Sequence, residues 1–376
     1  MKKIFYTGLI GLLLFEICNV YFIMPMPGSQ KMQSIDLAYF LYRWRWIFRV
    51  LFGAMIVIGF LRANWKRRWV PALPLILVLI VIYYANFKMA ADHMFLQPAF
   101  VQMDAAQNAA IEKDQLVLGV FVKNESKAYP IQYIGYHHQV VDSVGGEPVL
   151  VTYCTVCRTG RVYSPIVNGR KENFRLVGMD HFNAMIEDQS TGSWWRQSTG
   201  EAIAGKMKGS KLKEIQSYQA SLAQWVSMHP NTLVMRPDTL FKAKYDSMRI
   251  YEKGGKGSLT KTDPDSWNDK SLVIGIELGE TSKAYDWNEV KKQRVLNEML
   301  NGKPVTLLMA ADEKSFFAFE RPDNSPVVLS GDTIGFKGRQ YSINGTGLDT
   351  VASLKRLQAY QEFWHSWKTF HPTTLK

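Results

Sequence analysis

The chain contains two copies of one pattern. LGVFVKNESKAY (Leu118–Tyr129) aligns with IGIELGETSKAY (Ile274–Tyr285) at an offset of 156 residues without a gap, and Gly145–Val151 keeps that offset to Asn301–Leu307. Further along, Leu212–Gln219 matches Leu354–Gln361 and Trp225–Thr232 matches Trp367–Thr374, both at an offset of 142. A repeat of this length means one supersecondary unit built twice. Each copy begins with β-rich runs and turn signals: Val117–Val122, then Gln132–Val141, then Gly145-Gly146-Glu147-Pro148, then Val149–Tyr153. Each ends on a short amphipathic helix, marked by Leu222, Trp225 and Val226 in one copy and by Phe363, Trp364 and Trp367 in the other. His229-Pro230 and His371-Pro372 stop these helices, because a residue before proline is pushed out of the α region. The expected fold is α+β, with two similar β-rich halves at 91–235 and 271–376. The polar stretch 236–270 reads as a connector. His229 and His371, at equivalent helix ends beside tryptophan, read as packing or capping residues.

The long apolar runs fall almost entirely before residue 90. Ile4–Met24 carries one charge, Glu16, and is long enough to cross about 30 Å of hydrocarbon. Trp46–Leu61 and Val70–Asn86 are second and third candidates, so residues 1–90 read as an anchor of about three helices. Glu16 is expected to face a neighbouring helix. Residues 1–90 hold eleven Lys and Arg against Glu16 and Asp36, a net of +9 that leaves +3 for the rest. The basic excess therefore lies beside membrane segments, which favours the lipid bilayer as partner and argues against nucleic acid. Lys2, Lys3 and the loop bearing Arg62, Lys66, Arg67 and Arg68 should stay in the cytoplasm. Three crossings then place the soluble region outside the cytoplasmic membrane, where other envelope proteins are its candidate partners.

Comparing the copies separates scaffold from chemistry. Where the first has Cys154, Cys157, His137 and His138, the second has Ala310, Glu313, Gln293 and Arg294. Two sulfurs three positions apart on a tight turn converge on one point, which suits a thiophilic metal or a dithiol. If Tyr133–Val141 pairs antiparallel with Val149–Tyr153 around Gly145, residue 137 lies opposite 153 and His138 shares a face with Cys154. A slip of one residue exchanges it for His137. Asp188, Thr191, Ser193, Trp194, Gln197 and Glu201 form a second dense patch, readable as a pocket or as an Asx-type turn with tryptophan in the core. No Gly-rich phosphate loop, Ser-His-Asp order or paired-carboxylate spacing stands out.

Ala128–Tyr163 and Asp188–Gly205 resemble the bacterial family known as domain of unknown function 3179, and the resemblance spans most of residues 110–375. Its cysteine turn usually reads Tyr-Cys-Pro-Leu-Cys-Gly after a Trp-His-Glu triplet. Here these are Tyr153-Cys154-Thr155-Val156-Cys157-Arg158 and Tyr136-His137-His138. The resemblance favours His137 as the meaningful histidine and implies an envelope location. Three readings stand: a copper or zinc site at Cys154, Cys157 and His137; a redox-active dithiol; or a structural disulfide in a scaffold or binding domain.

Overall fold

Four apolar helices lead the chain: α1 (Lys2–Tyr21), α2 (Ile35–Arg43), α3 (Arg45–Arg62) and α4 (Trp69–Tyr83). In the computed structural model, which describes residues 1–67, 69–348 and 352–376, a π-helical turn prolongs α4 to Lys88. Lys2–Tyr21 and Trp69–Lys88 are each long and apolar enough to cross a membrane. A third span exists if α2 and α3, bent by 60°, count as one. Pro71 lies in the first turn of α4, whereas Pro74 falls inside the helix. Gly59 lets α1 and α3 approach: a Cβ there would stand 2.5 Å from the Phe5 nitrogen. Glu16 is fully buried and takes bonds of 2.7 and 2.9 Å from Arg49, while the Asn86 amide donates at 2.9 Å. The carboxylate expected to face a neighbour thus meets an arginine and an amide, which removes the cost of an isolated charge in hydrocarbon. Of the basic loop, Arg68 lies outside the described residues.

The chain forms two compact units. The first joins Met1–Leu96 to Glu172–Arg196 and Glu201–Lys211; the second holds Gln97–Lys171, Gln197–Gly200 and Leu212–Lys376. The repeat lies in the second unit. Its first series is β1 (Leu116–Val122), β2 (Glu125–Pro130), α5 (Ile131–His137), β3 (Gln139–Val144), β4 (Glu147–Cys154) and β5 (Thr159–Tyr163). The chain then enters the first unit for a four-stranded antiparallel sheet of β6 (Phe174–Asp180), β7 (Asn183–Asp188), β8 (Trp194–Arg196) and β9 (Ala202–Ala204). That sheet packs on the anchor. Tyr39 and Tyr42 of α2 set their rings 5.1 and 5.5 Å from Trp194, and Met179 donates to the Ile23 carbonyl at 2.7 Å.

Back in the second unit, β10 (Ser217–Ser221) and α6 (Leu222–Met228) close the first series, and α7 (Lys242–Glu252) follows. The second series is β11 (Leu272–Leu278), β12 (Thr281–Asp286), α8 (Trp287–Gln293), β13 (Val295–Leu300), β14 (Lys303–Met309) and β15 (Phe316–Glu320). It ends on β16 (Lys355–Leu357), β17 (Ala359–Phe363) and α9 (Trp364–Phe370). The elements from β11 to β13 follow those from β1 to β3 at the sequence offset of 156. One packing feature recurs. Gly119 lies against the Trp225 ring and Gly275 against Trp367, where a Cβ would come within 2.4 and 2.1 Å of ring carbons. Both tryptophans are fully buried, and each indole N–H donates seven residues on, to Thr232 and Thr374. His229 lies tilted against the first ring at 4.2 Å and His371 stacks on the second at 3.9 Å.

Two elements differ from expectation. Ile131–His137, placed in a strand by the sequence, is a helical turn, with Ile131 and Ile134 buried at helical spacing. It ends on His138 in the left-handed region (φ 62°), so the strand begins at Gln139 and pairs Gln139 with Thr152. The connector 236–270 also carries core residues: Tyr245 and Tyr251 of α7 are buried, and α7 packs on α5.

Candidate functional site: a buried thiol pair

Between β4 and β5 the chain turns in four residues, Thr155–Arg158, with Cys154 paired to Thr159 at its base. Arg158 takes a left-handed conformation (φ 57°) at the position where the resembling motif has glycine. Cys154 and Cys157 are both fully buried thiols, and no disulfide joins them. Burial pushes the Cys157 thiol well above its usual range. The hydrogen bond to Cys154, that sulfur's charge and the Glu362 carboxylate add to the rise, while the Ser366 hydroxyl opposes it. A dry thiol of this kind is a poor nucleophile until something replaces its proton.

The second half of the repeat supplies the surroundings. The Phe363 N–H donates to the Cys157 carbonyl at 2.7 Å, tying β17 to the turn. Lys270 reaches in from the connector. Its ammonium donates to the carbonyls of Val156 at 2.9 Å and Leu259 at 2.6 Å, and lies 3.1 Å from His365 Nε2. Burial lowers the Lys270 pKa, while negative charge on Cys157 and Cys154 draws it back up. His365 is held at about 4, first by burial and then by the Lys270 charge, so it is neutral at pH 7. Beside them, Glu362 is fully buried. It accepts from Ser366 and, at 3.2 Å, from Arg161, whose guanidinium stacks 3.1 Å from the Tyr360 ring centre. Burial raises the Glu362 pKa and the arginine opposes the rise. None of Lys270, His365, Glu362 and Arg161 was singled out by the sequence, although the wholly buried Arg161–Glu362 pair ties the two halves together directly. The missing signal was positional: 201 residues separate that pair.

The histidines expected near the sulfurs have other settings. His137, at the end of α5, is fully buried, with Nε2 2.6 Å from the Tyr245 hydroxyl and its ring 5.0 Å from Phe241. His138 sets Nδ1 2.9 Å from the Tyr153 carbonyl, and burial lowers its pKa to about 4. Among the described residues no three His, Cys, Asp or Glu side chains are grouped to hold a metal ion. The turn brings two sulfur donors together, half the number that a tetrahedral zinc site takes.

The second patch divides between the units. Asp188, fully buried, accepts from the Thr191 N–H and hydroxyl at 2.6 and 2.7 Å, from the Trp195 indole at 2.8 Å and from the Ser193 N–H at 3.3 Å. This is the Asx-type turn, with Trp194 and Trp195 in the core. Glu201 is exposed and pairs with Arg196 at 3.4 Å. Gln197 belongs to the second unit, where its amide donates to Thr152 Oγ1 at 3.0 Å and to the Thr159 carbonyl at 3.2 Å, bracing the strands that carry the cysteine turn.

The family described as "Protein of unknown function (DUF3179)" matches residues 95–374. None of the curated proteins matches the chain. Among solved structures, the terminal oxygenase of carbazole 1,9a-dioxygenase from Nocardioides aromaticivorans IC177 is 10% identical, over 69% of this chain and 78% of that one. Its TM-score of 0.18 carries no argument about fold or chemistry.

Proposed function

The chain belongs to the DUF3179 family, and from that premise we propose that it is a membrane-anchored protein whose soluble region binds copper(I) through Cys154 and Cys157 on the outer side of the cytoplasmic membrane. The supporting observation is the half-buried Lys270 ammonium, which donates to the Val156 carbonyl between the two cysteines at 2.9 Å and whose pKa is drawn up by charge on both sulfurs. Two thiolates around a monovalent ion carry one net negative charge, and a buried charge needs a partner. Lys270 is that partner. Soft thiolates select copper(I), which two sulfur donors satisfy, whereas a tetrahedral ion needs more. The lifted Cys157 thiol keeps the pair protonated without metal, so uptake releases protons and strengthens as pH rises. Competition for copper(I) against a chromophoric chelator, on the full-length protein in detergent, tests this. Cys154→Ser and Cys157→Ser should each abolish binding, and Lys270→Gln should weaken it about tenfold or more, the scale of one lost charge-assisted contact. Undiminished binding in both serine variants removes the reading.

A second reading rests on the hydrogen bond between the sulfurs: in an oxidising compartment the same pair closes as a structural disulfide. Thiol titration before and after reduction separates the two. A redox-active dithiol has less support, because burial lifts the Cys157 thiol instead of lowering it.

A further inference from the structure

A cavity of about 270 Å³ opens in the second unit where the two halves of the repeat meet, lined by Leu116 and Arg158 from one and Trp287 and Gln361 from the other. Its wall also includes Glu252, the last residue of α7. A carboxylate there opposes the helix dipole and is largely out of water, two costs that its one hydrogen bond offsets only in part. One of its oxygens accepts from the Leu116 N–H at 3.1 Å, while the other, Oε1, is buried with no hydrogen-bond partner. Arg158 is 5% exposed. Its terminal nitrogens donate to the carbonyls of Tyr251 and Glu252 at 3.1 and 3.2 Å, which caps α7, but its Nε is likewise buried and unsatisfied. Buried polar groups in folded proteins are almost always paired, so two orphans in one cavity wall point to a ligand that supplies both a donor and an acceptor. Arg249 and Lys253 line the same cavity and have no ion-pair partner among the described residues.

We infer that this cavity binds a free amino acid, its ammonium on Glu252 and its carboxylate among Arg158, Arg249 and Lys253. The volume lies at the small end of ligand pockets, which excludes larger molecules. The mixed lining suits a zwitterion better than a simple anion or cation. Trp287 and Leu272 supply an apolar wall for a side chain, and Gln361 a polar one. Burial raises the Glu252 pKa, and a ligand's ammonium beside the carboxylate favours its ionised form.

Isothermal titration of the full-length protein in detergent with glycine, glutamine, glutamate, lysine and methionine tests the inference. The N-acetyl and methyl-ester forms of each serve as controls that lack one charge. At least one free amino acid should bind, and its N-acetyl and ester forms should not. Glu252→Gln, which keeps the acceptor for Leu116, and Lys253→Ala, at an exposed position, should each weaken binding about tenfold or more, as expected for one lost charged hydrogen bond. Unchanged melting temperatures in both variants exclude misfolding as the cause. The inference is overturned if none of the five binds, if the blocked forms bind equally well, or if Glu252→Gln leaves affinity unchanged.

Discussion

His138 is buried, with its pKa lowered to about 4 by desolvation and by the neighbouring His137. In the unfolded chain its ordinary value is near 6.5, so between those values the unfolded state holds a proton that the folded state does not. Stability from this residue is therefore complete above pH 6.5 and is lost as pH falls towards 4, by about 3 kcal/mol for the single group. Thermal unfolding of the full-length protein from pH 7 to pH 4 should show that loss, and it should shrink in His138→Asn, a residue that tolerates the left-handed conformation. An identical pH profile in the variant would show that His138 stays charged or solvated. Two adjacent histidines ahead of a Cys-x-x-Cys invite a ligand reading, yet His137 faces Tyr245 and His138 ends a helix. The residues that meet the Val156 carbonyl between the cysteines, Lys270 and His365, come from beyond the first half, and nothing in their local sequence signals it.

At the scale of elements the repeat was the most informative part of the sequence. The Gly119–Trp225 and Gly275–Trp367 contacts explain why those glycines and tryptophans recur: the indole lies where a Cβ would be. Trp367→Ala should cost on the order of 3–5 kcal/mol, the range for a large core truncation, and Gly275→Ala should also destabilise because the ring cannot move aside. Urea unfolding checks both; a loss below about 1 kcal/mol for Trp367→Ala, the level of surface substitutions, would show that the ring carries no core packing. The missed α5 has a physical explanation. Its run Ile131–Tyr136 is rich in β-branched and aromatic residues, which favour strands, and the segment is buried on every side, so no apolar stripe marks it as a helix. The cysteine turn was legible because Thr155–Arg158 separates two apolar runs, although Arg158 in place of glycine gives no hint of its left-handed backbone.

For the whole molecule, the apolar helices at the N-terminus were legible from hydropathy, but the placement of residues 172–196 and 201–211 in one unit with them was not. Those segments pack on α2 and on the turn that precedes it through contacts such as Tyr39–Trp194, Gln30–Phe182 and Asp36–Lys208, each between residues more than 150 positions apart. Composition carries no record of such pairings. The orientation proposed from charge predicts that a reporter fused after Asn86 behaves as exported, because basic residues such as Lys2, Lys3, Arg62, Lys66 and Arg67 favour the cytoplasmic side. Cytoplasmic activity of that fusion would reverse the orientation and place the thiols in a reducing compartment. The central claim is that Cys154 and Cys157 hold copper(I) by themselves, with Lys270 supplying the balancing charge. The copper K-edge absorption spectrum of the copper(I)-loaded full-length protein tests it most directly. Two sulfur donors with no nitrogen in the first shell are predicted; a site with imidazole or additional ligands, or a protein that retains no copper(I), would contradict it.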